Sequence, residues 1–313
     1  MSLEACLPVD LQGPTTTITR IAAGLSGAGV YRVEAAGQAF VLKITGDGEP
    51  LADWRRKRHL QQLAANAGLA PRIIHVDEAR CAVVSAFVAD RSFRAFYRNP
   101  LTHEAALTQL GRTVRRVHDL PLPPDAEAKD PREFLATLWS GLVASFALPT
   151  FVGEAVRRLL TEGEPARERA LVLSHNDANP SNLVHDGENI LLLDWDTAGP
   201  NDPFYDLAAL AVFLRMDEGT CQRLLTAYDG EPVSRLPARF AYNRRLVALL
   251  CGAVSLQLAR NSGHAGATGE ETLDSTPSLG DFYQRMLAGT LSLATGEGQW
   301  CFGLALVKES AAA

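Results

Sequence analysis

Two short apolar runs in the middle of the chain each end abruptly in polar residues, and this pattern constrains the fold more than any other feature of the sequence. Leu171-Val172-Leu173 leads into Ser174-His175-Asn176-Asp177-Ala178-Asn179-Pro180-Ser181-Asn182. Ile190-Leu191-Leu192-Leu193 leads into Asp194-Trp195-Asp196. Apolar runs this short, bounded by turn residues, suit buried strands. Between them, Asn182-Leu183-Val184-His185 and Ile190 to Leu193 flank the turn former Asp186-Gly187-Glu188-Asn189, so a small hairpin is expected. A loop leaving the first strand presents a carboxylate at Asp177 and returns a carboxamide at Asn182, with Asp194 across the hairpin.

One carboxylate, one carboxamide and a second carboxylate are what phosphoryl transfer requires: a base for the attacking hydroxyl and hard oxygen ligands for magnesium. Asn, Asp, Pro and Ser are also turn formers, and the spacing from Asp177 to Asn182 alone reads first as a turn-rich loop. Asp194 shifts that reading, because a charge at the end of an apolar strand needs a partner and a divalent ion is a natural one. His175 reads as a residue that orients the loop through hydrogen bonds, and Asp206 as the cap of a following helix.

The remaining ingredient lies upstream. Gly24-Leu25-Ser26-Gly27-Ala28-Gly29 precedes a strand beginning at Val30. Glycines let the backbone approach phosphates closely, although a glycine-rich hairpin turn is the plainer reading of this stretch alone, and no Gly-Lys-Ser/Thr follows it. Lys43 sits inside the apolar strand Phe40-Val41-Leu42-Lys43-Ile44, where its ammonium needs a partner, and ATP phosphates would serve. The run Arg55-Arg56-Lys57-Arg58 reads as a solvated helix face.

A chain of 313 residues exceeds a single comfortable core, so two lobes are expected. Residues 1–88 read as a nucleotide-binding lobe of strands and one helix, with a hairpin turn at Ala36-Gly37-Gln38 and a helix from Asp53 to Ala67. Residues 89–313 read as a larger, mainly helical lobe for catalysis and substrate. Within it, Asp130-Pro131-Arg132-Glu133 opens a helix, and Asn261 to Gly280, rich in Gly, Ser and Thr, reads as a mobile loop that could act as a lid. A net charge of −6 argues against a general nucleic-acid binder. Five scattered cysteines, without a CxxC pair, suit free thiols in a reducing cytoplasm. No signal peptide or membrane-spanning apolar run is visible, so a cytoplasmic protein with no membrane partner is expected.

His175-x-Asp177 with Asn182, then Leu193-Asp194-Trp195-Asp196, then Gly199-Pro200-Asn201-Asp202-Pro203-Phe204-Tyr205-Asp206-Leu207-Ala208, resembles the aminoglycoside phosphotransferase and choline kinase superfamily. The resemblance runs from about Ile18 to Leu258. It implies an α+β, bilobal, protein-kinase-like fold, with a small N-terminal antiparallel sheet lobe and a larger helical C-terminal lobe. It further implies Asp177 as the catalytic residue, Asn182 and Asp194 as magnesium ligands, and Asp206 as an anchor for the catalytic loop. ATP would be bound by Lys43, by the turn residues Gly24, Ser26, Gly27 and Gly29, and by a hinge that includes Ser85 and Phe87. One departure stands out. Relatives usually carry a glutamate that pairs with the lysine from the next helix, whereas here Trp54 to Leu60 has none, so Asp53 or other acids must hold Lys43.

The implied activity is ATP- and magnesium-dependent phosphorylation of a small-molecule alcohol. Asn176, where antibiotic kinases more often have glycine, points towards a choline-, ethanolamine- or thiamine-like amino alcohol. Asp196 and the aromatic residues Phe240, Tyr242, Phe282, Tyr283, Trp300 and Phe302 are the candidates for holding such a cation. The alternatives are an aminoglycoside or other antibiotic phosphotransferase, and a nucleotide-binding pseudokinase scaffold.

Overall fold

A computed structural model of the chain describes residues 2–312 apart from 22–27, 47 and 125. The described elements are, in order, β1 (Thr17–Arg20), β2 (Gly29–Ala35), β3 (Gln38–Ile44), α1 (Leu51–Asn66), β4 (Ile73–Asp77), β5 (Ala82–Ala86), α2 (Phe93–Arg98) and α3 (His103–His118). There follow α4 (Pro131–Val143), α5 (Thr150–Thr161), β6 (Val172–Ser174), β7 (Leu183–His185), β8 (Ile190–Leu192) and β9 (Gly199–Asn201). The chain ends with α6 (Phe204–Phe213), α7 (Glu218–Asp229), α8 (Ala238–Asn261), α9 (Leu279–Leu287) and α10 (Gly296–Ala312).

Two compact units emerge. The first comprises Met1–Leu120 with Ser181–Ala198, and the second Pro121–Pro180 with Gly199–Ala313. The boundary expected after Val88 therefore falls within the first unit.

The first unit is built on a five-stranded antiparallel sheet of order β1-β2-β3-β5-β4. Ala36 and Gly37, both at positive φ (50° and 74°), make the two-residue turn between β2 and β3, with Ala35 opposite Gln38. A turn of this hand matches the twist of the strands it joins. Val33, Phe40, Leu42 and Val84 bury one face of the sheet against the N-terminal residues Cys6, Leu7 and Leu11. Side chains alternate along a strand, so burying Phe40 and Leu42 on that face sends Lys43 to the other. The hairpin of β7 and β8 belongs to this unit and pairs Leu183 with Leu192. It is tied to the segment after α1 by the Leu192 amide, which donates to Leu69 O at 2.8 Å.

The second unit is mainly helical, with α8 at its centre. Tyr242, Leu246, Leu249, Ala253 and Leu256 of α8 pack with Leu135 of α4, Val156 of α5 and Leu304 of α10. Gly252 and Gly303 allow α8 and α10 to approach closely: a Cβ on Gly252 would lie 3.1 Å from the Gly303 carbonyl oxygen. Asp130 caps α4 as expected, accepting from the Arg132 amide at 2.8 Å. The two-stranded sheet of β6 and β9 pairs Leu173 with Pro200.

The segment from 262 to 278 forms neither helix nor strand, as its composition suggests. Its Ser and Thr hydroxyls make local bonds, such as the capping box of Ser278 with Asp281 at the start of α9. The Ala267 amide donates to Ala147 O at 2.9 Å, and Lys308 of α10 donates to Thr276 O at 2.6 Å. The hydroxyls thus form turns and a cap, while backbone groups tie the segment to Ala147 and Lys308.

Candidate active site

In the first unit, β3 carries Lys43 to a pair of carboxylates. Its Nζ donates to Asp194 Oδ1 and to Asp196 Oδ2, each at 2.7 Å. The Asp-Trp-Asp sequence explains how two acids reach one ammonium. Trp195 is buried, and its indole N–H donates to Leu192 O at 3.0 Å, which fixes a 3₁₀ turn over Trp195–Thr197. Asp194 immediately before that turn adopts the left-handed conformation (φ 59°), which costs roughly 1 kcal/mol and suits Asp better than most residues.

Asp53, the candidate substitute for the missing glutamate, pairs instead with Arg56 on its own helix at 3.0 Å. The acids that hold Lys43 lie some 150 positions downstream. Arg58, read as part of a solvated face, is only 7% exposed and donates through Nη2 to Asp196 Oδ1. Asp196, read as a partner for a cationic substrate, thus has one oxygen on Lys43 and the other on Arg58. Burial pushes its carboxyl upward, but Lys43 and then Arg58 outweigh burial and hold it below the usual carboxylate range. The signal for Arg58 was its place one helical turn after the buried Trp54.

Asn182 opens the hairpin at the end where Asp194 leaves it, and its carbonyl accepts from the Leu193 amide at 2.8 Å. One carboxamide and one carboxylate at the same end of a hairpin are hard oxygen donors. Among the described residues no group of three or more His, Cys, Asp or Glu could hold a metal ion. A magnesium ion that takes its other ligands from phosphates and water needs no such cage, so this donor set fits it.

The nucleotide-side expectations fall unevenly. Gly24, Ser26 and Gly27 lie outside the described residues. Gly29 opens β2 opposite Ile44, and a Cβ there would come within 2.9 Å of the Tyr31 ring. Ser85 is paired within β5, opposite Val41 on one side and Ile73 on the other. The Phe87 amide donates to Ala39 O at 3.1 Å and so belongs to the sheet, while the Arg32 guanidinium lies 4.6 Å from the centre of the Phe87 ring.

In the second unit, the loop after β6 is fixed from below. Asp206, 1% exposed in the first turn of α6, accepts from the His175 amide at 2.7 Å and the Asn176 amide at 2.8 Å. Asn176 is left-handed (φ 63°). Its side-chain oxygen accepts from Asn201 Nδ2 at 2.8 Å, and its own Nδ2 donates to Gly199 O at 3.4 Å. Asn tolerates this backbone region and here also ties the loop to β9. Its identity is therefore accounted for by the loop rather than by an acceptor. Asp177 follows, with Oδ1 accepting from Asn179 Nδ2 at 2.8 Å. Burial drives the Tyr205 hydroxyl well above its ordinary value and the Cys251 thiol up to about 12, and the negative charge of Asp177 adds to both.

The proposed aromatic candidates for a cation serve the core: Phe240, Tyr242, Phe282 and Trp300 are each 5% exposed or less, and Tyr283 and Phe302 pack against the same cluster. Sequence reasoning also missed a buried ion pair near the start of α6. Arg239 Nε donates to Asp202 Oδ2 at 2.7 Å, and Asp202 Oδ1 accepts from the Phe204 amide at 2.9 Å.

Replacing Asp206 with alanine would strand one buried and one partly buried amide donor. An unfolding free energy lower by about 3 kcal/mol is expected, measured by chemical denaturation. A loss below about 1 kcal/mol would show that Asp206 does not hold the loop.

The model of the Phosphotransferase enzyme family matches residues 17–244. The chain belongs to that family. Solved structures of similar fold include a choline/ethanolamine kinase family protein from Mesorhizobium loti, with 22% identity, 95% of this chain and 94% of that one covered, and a TM-score of 0.61. The choline kinase LicA from Streptococcus pneumoniae matches at 17% identity, covering 89% of this chain and 93% of its own, with a TM-score of 0.59. LicA in complex with AMP matches at 17% identity and a TM-score of 0.58, covering 90% and 94% of the two chains. An aminoglycoside-3'-phosphotransferase of type VIII matches at 19% identity, covering 76% and 94%, with a TM-score of 0.57. No curated protein matches the chain. The family fold is kinase-like, and the N-terminal five-stranded antiparallel sheet with its mainly helical remainder is that fold. Among the described residues no helix is long and apolar enough to cross a membrane.

Proposed function

We propose that this phosphotransferase is an ATP-dependent kinase of a small-molecule hydroxyl, with a choline-, ethanolamine- or thiamine-like amino alcohol as acceptor. The observation that carries the reading is the clamp on Lys43. A lysine set by Asp194 and Asp196, at the hairpin end where Asn182 also lies, is a phosphate contact beside a pair of metal donors. The binding of AMP by LicA, a protein of similar fold, supports a nucleotide as donor.

The acceptor hydroxyl hydrogen-bonds to Asp177, whose orientation Asn179 sets. Its oxygen attacks the γ-phosphorus in line, the bond to the bridging oxygen breaks, ADP leaves, and the hydroxyl proton passes to Asp177 late in the transfer. Lys43 pairs with the nucleotide phosphates. Asn182 and Asp194 would hold magnesium, which when bound neutralises charge on the triphosphate. The backbone of the Asp177 loop is fixed in advance by Asp206, so the base does not have to be ordered during the reaction.

An amino alcohol is favoured by the acidic balance of the chain, net −6. ATP as donor suits the cytoplasm. A panel of amino alcohols and aminoglycosides, with phosphorylated products detected by mass spectrometry, tests the acceptor class. Product from an aminoglycoside alone, with raised antibiotic tolerance in cells expressing the chain, would overturn the metabolic reading. A pseudokinase scaffold has no need of a base and two metal donors, and ATP turnover separates it from the enzyme. Lys43→Ala should raise the KM for ATP by about tenfold or more, since a charged contact to phosphate is lost. An unchanged ATP dependence would remove Lys43 from the site.

A further inference from the structure

We propose that Arg58 is a positioning residue for nucleotide binding: through Asp196 it holds Lys43 in place, so that α1 governs the lysine by supplying a cation. The proposal rests on Lys43 being the phosphate contact.

The geometry forms a chain of three charged groups. Asp196 gives Oδ2 to Lys43 at 2.7 Å and Oδ1 to Arg58. A lysine ammonium is a point charge on a flexible four-carbon stem, so its direction depends on what holds it. A carboxylate bonded through one oxygen can still swing about its terminal bond. Bonded through the second oxygen to a guanidinium that cannot move, it becomes a fixed bracket. Arg58 meets that condition. It is 7% exposed, its Nη1 donates to Gln61 Oε1 at 2.6 Å, and its guanidinium carbon lies 5.9 Å from the centre of the Trp54 ring. Both supports come from α1 itself.

Charge points the same way. Lys43 and Arg58 balance Asp194 and Asp196. Without Arg58, Asp196 has no second cation to share its charge. Lys43 is also drawn more firmly onto Asp196 and away from phosphate. Arg58 therefore contributes to affinity without touching the nucleotide.

Calorimetric titration of the full chain with a non-hydrolysable ATP analogue and magnesium tests this through a double-mutant cycle. Arg58→Met is expected to weaken binding about tenfold, and Arg58→Lys, which keeps the charge but loses the fork, roughly threefold. The combined Arg58→Met/Asp196→Asn variant should bind no more weakly than Asp196→Asn alone, because Arg58 acts only through that carboxylate. In turnover, the loss should appear in the KM for ATP far more than in kcat. A merely structural arginine would lower the melting temperature without this split. If Arg58→Met does not fold, the same cycle run with Arg58→Lys carries the test.

Losses that multiply in the double variant would show that Arg58 acts by another route and would overturn the proposal. So would unchanged binding in Arg58→Met alongside weakened binding in Lys43→Met, a result that leaves Lys43 as the phosphate contact. Unchanged binding in Lys43→Met would bring down both readings.

Discussion

Asp177→Asn is expected to lower kcat by about 10³-fold while leaving the affinity for nucleotide within about twofold of the parent chain. The substitution keeps the shape of the side chain and its contact with Asn179 within reach, and removes only the ability to take a proton. The loop should stay in place, because its backbone is held by Asp206 rather than by Asp177. Initial rates across ATP and acceptor concentrations, with the melting temperature as control, distinguish a lost base from a lost fold. A variant that retains more than about a tenth of the parent rate would show that Asp177 does not serve as the base.

Asp194→Ala is expected to have the second large effect, a loss of about 10²-fold or more in magnesium-dependent turnover. Two functions would be lost together. One of two proposed metal donors disappears, and Lys43 is left with Asp196 alone. The magnesium concentration for half-maximal rate should rise, so a magnesium titration separates this variant from Lys43→Ala, whose defect lies in ATP. Stability should not fall greatly, since Asp194 is exposed, and relief of its left-handed backbone is not gained by alanine. An unchanged magnesium dependence would remove Asp194 from the metal site.

Much of the fold was legible because local chemistry decides it. The turn at Ala36 and Gly37 between two β-rich runs, the Asp130-Pro131 start of α4 and the hairpin around Gly187 each carry their own instruction. The elements that were missed lack one. Strand β9 is three residues long, too short to show a period, and exists because it pairs with β6, which the apolar run Leu171-Val172-Leu173 had marked. Helix α10 is packed along much of its length against α8, so no polar stripe marks it. The segment from 262 to 278 has neither helix nor strand, in keeping with its composition, and its Ser and Thr act as caps and turns.

The candidate site divides along the same line. Asp177, Asn182 and Asp194 stand out in the sequence because each sits beside a short apolar run. The partners of Lys43 were not, since Asp194 and Asp196 reach it across more than 150 positions of sequence. Arg58 was misread because its neighbours Arg55 and Arg56 are exposed, and only helical phase separates it from them. Asn176 shows a local role that the sequence did not reveal. The residue read as a mark of substrate class is also fastened to Asn201 and Gly199.

The central claim is that this chain moves a phosphoryl group from ATP to a small-molecule hydroxyl using Asp177. Mass spectrometry of reactions containing ATP, magnesium and single amino alcohols, run with the parent chain and with Asp177→Asn, tests it most directly. A phosphorylated amino alcohol and ADP in equal amounts are expected from the parent chain, and neither above background from the variant. ADP formed at the same rate by both proteins, with no phosphorylated acceptor from either, would contradict it.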